Sequence, residues 1–183
     1  GVPERQGFAL KPAQKLMETM QLAQNAAVVV HNPSNMFYLT GGYTGEGVVY
    51  ISRETQAIIT DFRYTEQAGR QAPDFRCVMV EKGLNHDQWV AKLAHGENVT
   101  MLYYEDDYLT VKAFDALRAA VGDDRQVTSL YSYCIQKASK GFRHPPDKLG
   151  LALAIGARPL THRIDPGAVG RVMLHVVGTA ALE

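Results

Sequence analysis

The chain has 183 residues, of which 46% are apolar and 21% charged, proportions typical of a folded globular protein. Its 19 Lys and Arg residues balance 19 Asp and Glu residues, so the chain lacks the basic excess of many nucleic-acid-binding proteins. No apolar run approaches the roughly 20 residues needed to span a bilayer, and the N-terminus lacks the features of a signal peptide. We therefore expect a cytoplasmic protein with no nucleic-acid partner and no membrane span.

Helices and strands alternate along residues 1–130, which predicts one α/β domain. Its sheet should be mixed, because only residues 52–55 separate two of the strands and this spacing indicates a hairpin. The apolar character of residues 26–30 and 76–80 indicates strands covered on both faces, so we expect helices on both faces of the sheet. The predicted helices are 12–24, 62–72, 86–95 and 109–121, and the predicted strands are 26–30, 47–51, 56–60, 76–80, 98–103 and 126–130.

Three local signals refine this prediction. Asn32-Pro33-Ser34-Asn35 is a run of turn formers that should end the first strand. Asp61 is placed to cap the helix predicted over residues 62–72, and Gly122 is placed to end the last helix. The cysteines, Cys77 and Cys134, are well separated and form no ligand-like pair, so we predict free thiols in a reducing compartment.

Residues 131–183 differ from the rest of the chain. They carry 7 basic and 3 acidic residues, whereas residues 1–130 carry 12 basic and 16 acidic residues. The basic residues stand singly, which argues against a nucleic-acid site. Lys140 to Pro146 interrupts any helix, and no helical or strand period is sustained. We expect a first domain over residues 1–130 and an atypical tail over residues 131–183 that is too short for a complete second domain.

The segment Thr40 to Gly47 is the first candidate for function. It contains four glycines in eight residues, Gly41, Gly42, Gly45 and Gly47, which permit positive φ and close backbone approach. Tyr43 and Thr44 should then project as an aromatic surface and a hydroxyl. Either this loop completes a substrate pocket or it is a tight turn into a strand. It matches neither a P-loop nor a dinucleotide-binding fingerprint.

Asp61, Arg63 and Tyr64 form a second candidate group. The structural interpretation is that Asp61 caps a helix, Arg63 pairs with an acidic neighbour and Tyr64 packs with its hydroxyl exposed. The functional alternative is that Arg63 binds a substrate carboxylate, because the guanidinium fork suits bidentate contact.

These segments together resemble the N-terminal domain of the creatinase, prolidase and Xaa-Pro aminopeptidase family, over roughly residues 12–130. The resemblance lies in Val28 to Asn35, in Phe37-Tyr38-Leu39-Thr40-Gly41 and in Asp61-Phe62-Arg63-Tyr64 with Glu66-Gln67-Ala68. It implies a ribonuclease H-like arrangement, a homodimer, and loops that face a catalytic pocket, often that of the partner subunit. Gly41, Gly42, Tyr43, Thr44 and Gly45 would form the substrate-facing loop, and Arg63 and Tyr64 would contact an interface or a substrate carboxylate.

The resemblance also implies where the chemistry lies. The family holds a pair of divalent Mn, Co or Zn ions with Asp, His and Glu ligands in a domain that follows this one. In this chain the corresponding residues would have to come from Asp147, Asp165, Glu183, His144, His162 and His175, which show no ligand-like spacing. We therefore predict no catalytic residue, metal ligand or bound cofactor in this chain.

The remaining polar residues have plain structural interpretations. His31, His86 and His95 are predicted to be surface or capping residues. Glu105-Asp106-Asp107 is predicted to be a solvated acidic cap before a helix. Ribonuclease H-like nucleases also use clustered carboxylates, but that alternative rests on fold analogy alone.

Two hypotheses for function follow. In the first, the chain is the N-terminal domain of an Xaa-Pro aminopeptidase or dipeptidase, truncated, expressed as a fragment or frameshifted after residue 130. It would meet a peptide substrate only together with a catalytic domain. In the second, it is a stand-alone, non-catalytic binding or oligomerisation module. Both predict that the chain alone is inactive.

Overall fold

A computed structural model describes residues 10–81 and 83–130. Their core is one six-stranded sheet with the spatial order β4-β3-β2-β1-β5-β6. β2 runs antiparallel to both of its neighbours, and the other adjacent pairs are parallel. The mixed sheet is thus confirmed. The strands are β1 (Ala26–Val30), β2 (Val48–Ser52), β3 (Gln56–Thr60), β4 (Arg76–Met79), β5 (Met101–Tyr104) and β6 (Gln126–Ser129).

Five helices cover the sheet, and apolar residues divide into two clusters, one on each face. α1, α2 and α3 supply buried residues to the first cluster, which includes Val28, Val49 and Ile58. α4 and α5 supply the second, which includes Val29 and Ile59. Helices on both faces are therefore confirmed. The helices are α1 (Pro12–Met20), α2 (Pro33–Thr40), α3 (Thr65–Gln71), α4 (His86–Gly96) and α5 (Val111–Val121).

The two central strands explain the apolar runs in the sequence. Every residue of β1 and of β2 is buried, because each strand has a sheet neighbour on both sides and helices above and below. The predicted hairpin joins β2 to β3. Ser52 closes it, since its backbone N–H donates to the Thr55 carbonyl at 2.8 Å. α5 ends at Gly122 as predicted, where φ is +83°.

α2 is absent from the sequence prediction, which placed only a turn at Asn32 to Asn35. The same residues are a helix start. The Asn32 side chain accepts a hydrogen bond from the Ser34 backbone N–H, and Pro33 occupies the first helical position. Asn at the N-cap followed by Pro is a standard helix-initiating pair, and it equally suits a turn. The residues that distinguish a helix from a turn here are Met36 and Leu39. They are three residues apart, so a helix places both on one face, and both are buried in the first cluster.

The predicted cap by Asp61 is wrong. α3 begins at Thr65, three residues later than expected, and its N-cap is Tyr64, which makes no side-chain cap. The Asp61 carboxylate instead accepts hydrogen bonds from the backbone and side-chain N–H groups of Arg63. An Asp that bonds to the backbone two residues ahead forms an Asx turn, which delays the helix.

Several expectations lie outside the described residues. These are the atypical tail over residues 131–183, the thiol of Cys134, and the Asp, Glu and His residues beyond residue 130, which are predicted not to bind metal. Cys77 is a half-buried free thiol, and burial raises its pKa. Within the described part of the chain, no helix has the length and apolar character needed to cross a membrane.

Candidate functional site

The carboxyl edge of the sheet gathers the polar loops. β1, β3, β4, β5 and β6 run in one direction, so the segments that follow them emerge at the same edge. β1 continues into α2 on one face, and β5 leads to α5 on the other. Where neighbouring parallel strands send their connections to opposite faces, a crevice opens beyond their carboxyl ends, and open α/β sheets usually bind ligands there. In this chain the corresponding place, called the crevice below, is where residues 31 and 32 after β1 meet residue 105 after β5.

The glycine-rich loop Gly41–Gly47 returns the chain from α2 to β2 at this edge. Tyr43 does not project from it, contrary to expectation: its side chain is 1% exposed and belongs to the first apolar cluster. The Tyr43 hydroxyl donates to the Glu46 carbonyl at 2.6 Å and lies 3.2 Å from the Thr60 hydroxyl. Burial raises the Tyr43 pKa, so the phenol stays neutral. Tyr43 is therefore the internal support of the loop.

Two glycines in this loop are required by contacts. A Cβ at Gly45 would lie 2.5 Å from the Tyr43 hydroxyl oxygen, so the loop backbone packs directly on that ring. A Cβ at Gly47 would lie 2.3 Å from the Ile59 carbonyl oxygen, and φ at Gly47 is +136°. By contrast, Gly41 ends α2 with φ at +81° and open space around it. The glycines are thus explained by packing and backbone conformation, without reference to a substrate.

Thr44 is the loop residue whose exposure matches the expectation. It is exposed at the surface, and its hydroxyl lies 2.9 Å from Gln67 Nε2 and 3.1 Å from Gln71 Nε2. Its backbone N–H donates to Gln71 Oε1 at 3.0 Å. The loop is therefore tied to α3 while Thr44 remains accessible from outside.

Arg63 lies beside this loop but is already paired. Its guanidinium contacts Asp61 Oδ2 at 2.7 Å and Glu46 Oε2 at 3.5 Å, and it stacks over the Tyr64 ring at 5.2 Å from the centroid. The predicted pairing of Arg63 with an acidic neighbour is confirmed. Its hydrogen bond to Asp61 lowers the pKa of that carboxyl. Arg63 therefore joins the turn after β3 to the glycine-rich loop, and its charge is balanced within the domain.

Glu105 is the residue that the sequence interpretation missed. It was predicted to be solvated, yet it is 0% exposed. Its Oε1 accepts hydrogen bonds from the backbone N–H groups of His31 at 2.6 Å and Asn32 at 2.9 Å, and its Oε2 accepts one from the Asn35 side chain. Burial raises its pKa, these three hydrogen bonds oppose the shift, and the charge of Asp107 adds to it. The neighbouring acidic residues, Asp106 and Asp107, are exposed as predicted.

A signal for Glu105 was present in the sequence. It is the first residue after β5, and in the parallel register it falls beside the end of β1. The backbone N–H groups at the start of α2 have no partner within that helix, so an acceptor is needed at this place. This signal is evident only when α2 is known. The sequence prediction lacked α2, and it therefore also failed to predict that Glu105 is buried.

His31 is also more buried than predicted. Its Nδ1 atom is buried and has no hydrogen-bond partner among the described residues. Burial, with a smaller contribution from nearby His86, lowers the His31 pKa from 6.5 to about 4. A neutral imidazole therefore borders the crevice at neutral pH. His95, near the end of α4, is exposed as expected.

Metal binding finds no support within the described residues. No group of three or more His, Cys, Asp or Glu side chains there is arranged to hold an ion. An open cavity of about 420 Å³ lies at the opposite edge of the sheet, lined by residues that include Asn25, Thr100, Asp124 and Gln126. It is remote from the glycine-rich loop and does not coincide with the candidate site.

The hydroxyl of Tyr43 offers a direct check on the loop. Tyr43→Phe should lower the free energy of unfolding by about 1 kcal/mol, because one buried hydrogen bond is lost while the ring still fills its place. Urea unfolding of the two proteins measures the difference. Tyr108→Phe, at an exposed tyrosine, should change it by less than about 0.5 kcal/mol. Equal effects of the two changes would show that the Tyr43 hydroxyl does not support the loop.

Comparison with known proteins identifies the domain. Residues 12–133 match the model of the Creatinase/Prolidase N-terminal domain. An uncharacterized peptidase, YqhT, of Bacillus subtilis is 31% identical over 103 residues, which are 56% of this chain but only 28% of that protein. The chain therefore spans little more than a quarter of the length of this relative.

Comparison with solved structures gives the same result. The N-terminal domain of the cytoplasmic peptidase PepQ from Mycobacterium tuberculosis is 26% identical, with a TM-score of 0.57 over 66% of this chain and 93% of that one. A creatinase/prolidase-like N-terminal domain from Corynebacterium diphtheriae (24% identity, TM-score 0.54, 66% and 97% covered) has the same fold. So does an Xaa-Pro dipeptidase from Bacillus anthracis (23% identity, TM-score 0.56, 79% and 48% covered). The chain belongs to the Creatinase/Prolidase N-terminal domain family.

Proposed function

We propose that this chain acts as the N-terminal domain of an Xaa-Pro metallopeptidase, an enzyme that cleaves the peptide bond preceding proline. The observation that carries the proposal is the family match over residues 12–133. The similar structure from Mycobacterium tuberculosis is itself the N-terminal domain of a peptidase. The role proposed for this domain is accessory: it supplies dimer contacts and a loop that faces the substrate in a cytoplasmic enzyme.

Within this role, Gly41–Gly47 is the substrate-facing loop. The contacts that fix the loop support this role. The Tyr43 ring packs against the loop backbone at Gly45, and Gln71 accepts a hydrogen bond from the Thr44 backbone N–H. Loops held on a firm scaffold are common positions for binding residues. Thr44, and not Tyr43, is the side chain that would meet the substrate. Arg63 and Tyr64 would contribute to an interface beside the loop, and their contact with a substrate carboxylate remains part of this proposal.

The divalent metal of the proposed enzyme, Mn, Co or Zn, would be held by a separate catalytic domain. The described residues do not fit such a site, because they bring no three metal-binding side chains together. Catalysis therefore requires groups from outside residues 10–130, and we expect the chain alone to be inactive.

A stand-alone binding or oligomerisation module is the second candidate. The observation that favours it is the exposure of two aromatic side chains: Phe62, in the turn after β3, is 75% exposed, and Phe37, in α2, is 50% exposed. Exposed aromatic residues are enriched at protein interfaces. In this second role, an unrelated partner or a second copy of the chain would cover them.

Three measurements test these proposals; the first two test what the proposals share, and only the third separates them. The purified chain is incubated with Xaa-Pro peptides and Mn²⁺ or Co²⁺, and we expect no release of the N-terminal residue. Light scattering gives the mass in solution, which should be that of a dimer. The encoding DNA, translated in its other two frames beyond residue 130, should show an Asp, His and Glu ligand series if a frameshift produced this chain. Robust metal-dependent cleavage by the chain alone would contradict the accessory role.

A further inference from the structure

The start of α2 is an anion-binding position. The backbone N–H groups of Asn32, the N-cap of α2, and of His31, the residue before it, converge on one point, and the Asn35 side chain adds a third donor from the first turn. Unpaired N–H groups and the positive end of the helix dipole favour negative charge at such a place. In an open α/β sheet this crevice would normally accept a carboxylate or phosphate from a ligand. Here the position is taken by Glu105 of the same chain.

The hydrogen-bond partners of Glu105 are those that suit a carboxylate. All three partners are hydrogen-bond donors. An ionised carboxyl group only accepts hydrogen bonds, so its oxygens are complementary to these donors. Among residues 10–81 and 83–130 no lysine or arginine forms an ion pair with Glu105. The His31 and Asn32 backbone N–H groups and the Asn35 side chain are therefore the contacts that stabilise this carboxylate, and they oppose the effect of burial, which raises its pKa.

α2 connects this position to the glycine-rich loop. The helix has only eight residues. At its end the Thr40 hydroxyl donates to the Met36 carbonyl at 2.6 Å and accepts from the Tyr43 backbone N–H at 3.0 Å. A rotation of α2 at its start would therefore displace Tyr43 and the loop backbone that packs on it.

We propose that Glu105 is a positioning residue whose carboxylate serves as an internal ligand at the start of α2 and thereby fixes the placement of Gly41–Gly47. The consequence for substrate binding rests on the proposed function, but the positioning itself does not. Glu105 would determine where Thr44 lies without touching a substrate.

Glu105→Ala tests this inference in the 183-residue chain. Hydrogen exchange should become at least about tenfold faster at His31, at Asn32 and within residues 41–47, because three buried donors lose their acceptor. Amides of β3 and α5 should change much less. Asp106→Ala, which removes an exposed carboxylate one residue away, should leave exchange within about twofold of the original.

Chemical rescue distinguishes positioning from general support of the fold. The vacated position in Glu105→Ala should accept formate or acetate, so either anion should slow exchange at residues 41–47 toward the original rate, whereas chloride at equal ionic strength should not. Glu105→Gln, which keeps one acceptor oxygen, should give intermediate exchange and serves if the alanine variant fails to fold. Uniform acceleration at all amides, or unchanged exchange in residues 41–47 of a folded variant, would overturn the inference. Loop displacement without any effect on peptide cleavage in a complete enzyme would leave positioning intact and count against the proposed function.

Discussion

Gly47→Ala is expected to lower the free energy of unfolding by about 3–5 kcal/mol, from backbone strain and overpacking combined. The new Cβ would lie 2.3 Å from the Ile59 carbonyl oxygen and 3.1 Å from Thr60 Cβ. Neither atom can move easily, since both belong to β3 in the hairpin. A φ of +136° is in addition a conformation that an alanine rarely adopts.

Two other glycines provide matched controls. Gly41→Ala has positive φ but open surroundings, so only the backbone cost of about 1–2 kcal/mol should appear. Gly69→Ala, in α3 with no heavy atom near the new Cβ, should stabilise by about 0.5–1 kcal/mol. Urea unfolding followed by the fluorescence of Trp89, the single tryptophan, measures all three. If Gly47→Ala proved no worse than Gly41→Ala, the close packing of the loop on β3 would be incorrect.

Acidification should destabilise the domain through His31. Its pKa is lowered from 6.5 to about 4 in the folded protein, so between these values the unfolded chain binds a proton that the folded chain does not. Stability is therefore fully present above about pH 6.5 and falls as the pH decreases toward 4, by at most about 3 kcal/mol. Glu105 acts in the opposite sense, because its raised pKa makes the folded state the better proton binder.

His31→Gln isolates the contribution of the imidazole. The variant keeps the backbone N–H that donates to Glu105, so the helix start is preserved. Plots of unfolding free energy between pH 4 and pH 7 should have a shallower slope for the variant, since it lacks the titrating group. His95→Gln, at an exposed histidine, serves as the control. Identical slopes for the original protein and His31→Gln would show that His31 is not held neutral by burial.

The layered architecture could be predicted because its signals are local. β1 and β2 are buried along their whole length, so their residues form continuous apolar runs that are evident without knowledge of the sheet. The hairpin at residues 52–55 and the helix end at Gly122 likewise depend on neighbouring residues. Family resemblance then supplied the domain type, which the comparisons confirmed.

The site could not be predicted to the same extent, because its contacts are distant in sequence. Tyr43 meets Thr60, and Glu105 meets His31 and Asn32, across separations that no local pattern encodes. A glycine-rich loop with an aromatic residue suggested an exposed surface, whereas the glycines allow the ring to be covered by the backbone. Three consecutive acidic residues suggested solvent, whereas the first of them follows a buried strand and turns inward.

The most direct test of the central claim is the activity of a chimera. In the Bacillus anthracis Xaa-Pro dipeptidase, the N-terminal domain is replaced by residues 12–133 of this chain, and kcat and KM are measured for an Xaa-Pro dipeptide with Mn²⁺. We predict metal-dependent cleavage, and a KM raised about tenfold or more by Thr44→Trp, since a bulky side chain would obstruct the pocket at a cost of at least about 1.4 kcal/mol. Asp123→Trp, at an exposed position before β6 on the opposite edge of the sheet, should leave KM unchanged. A folded, dimeric chimera that does not cleave the dipeptide would contradict the role proposed for this domain. A KM that Thr44→Trp leaves unchanged would contradict the role proposed for its loop.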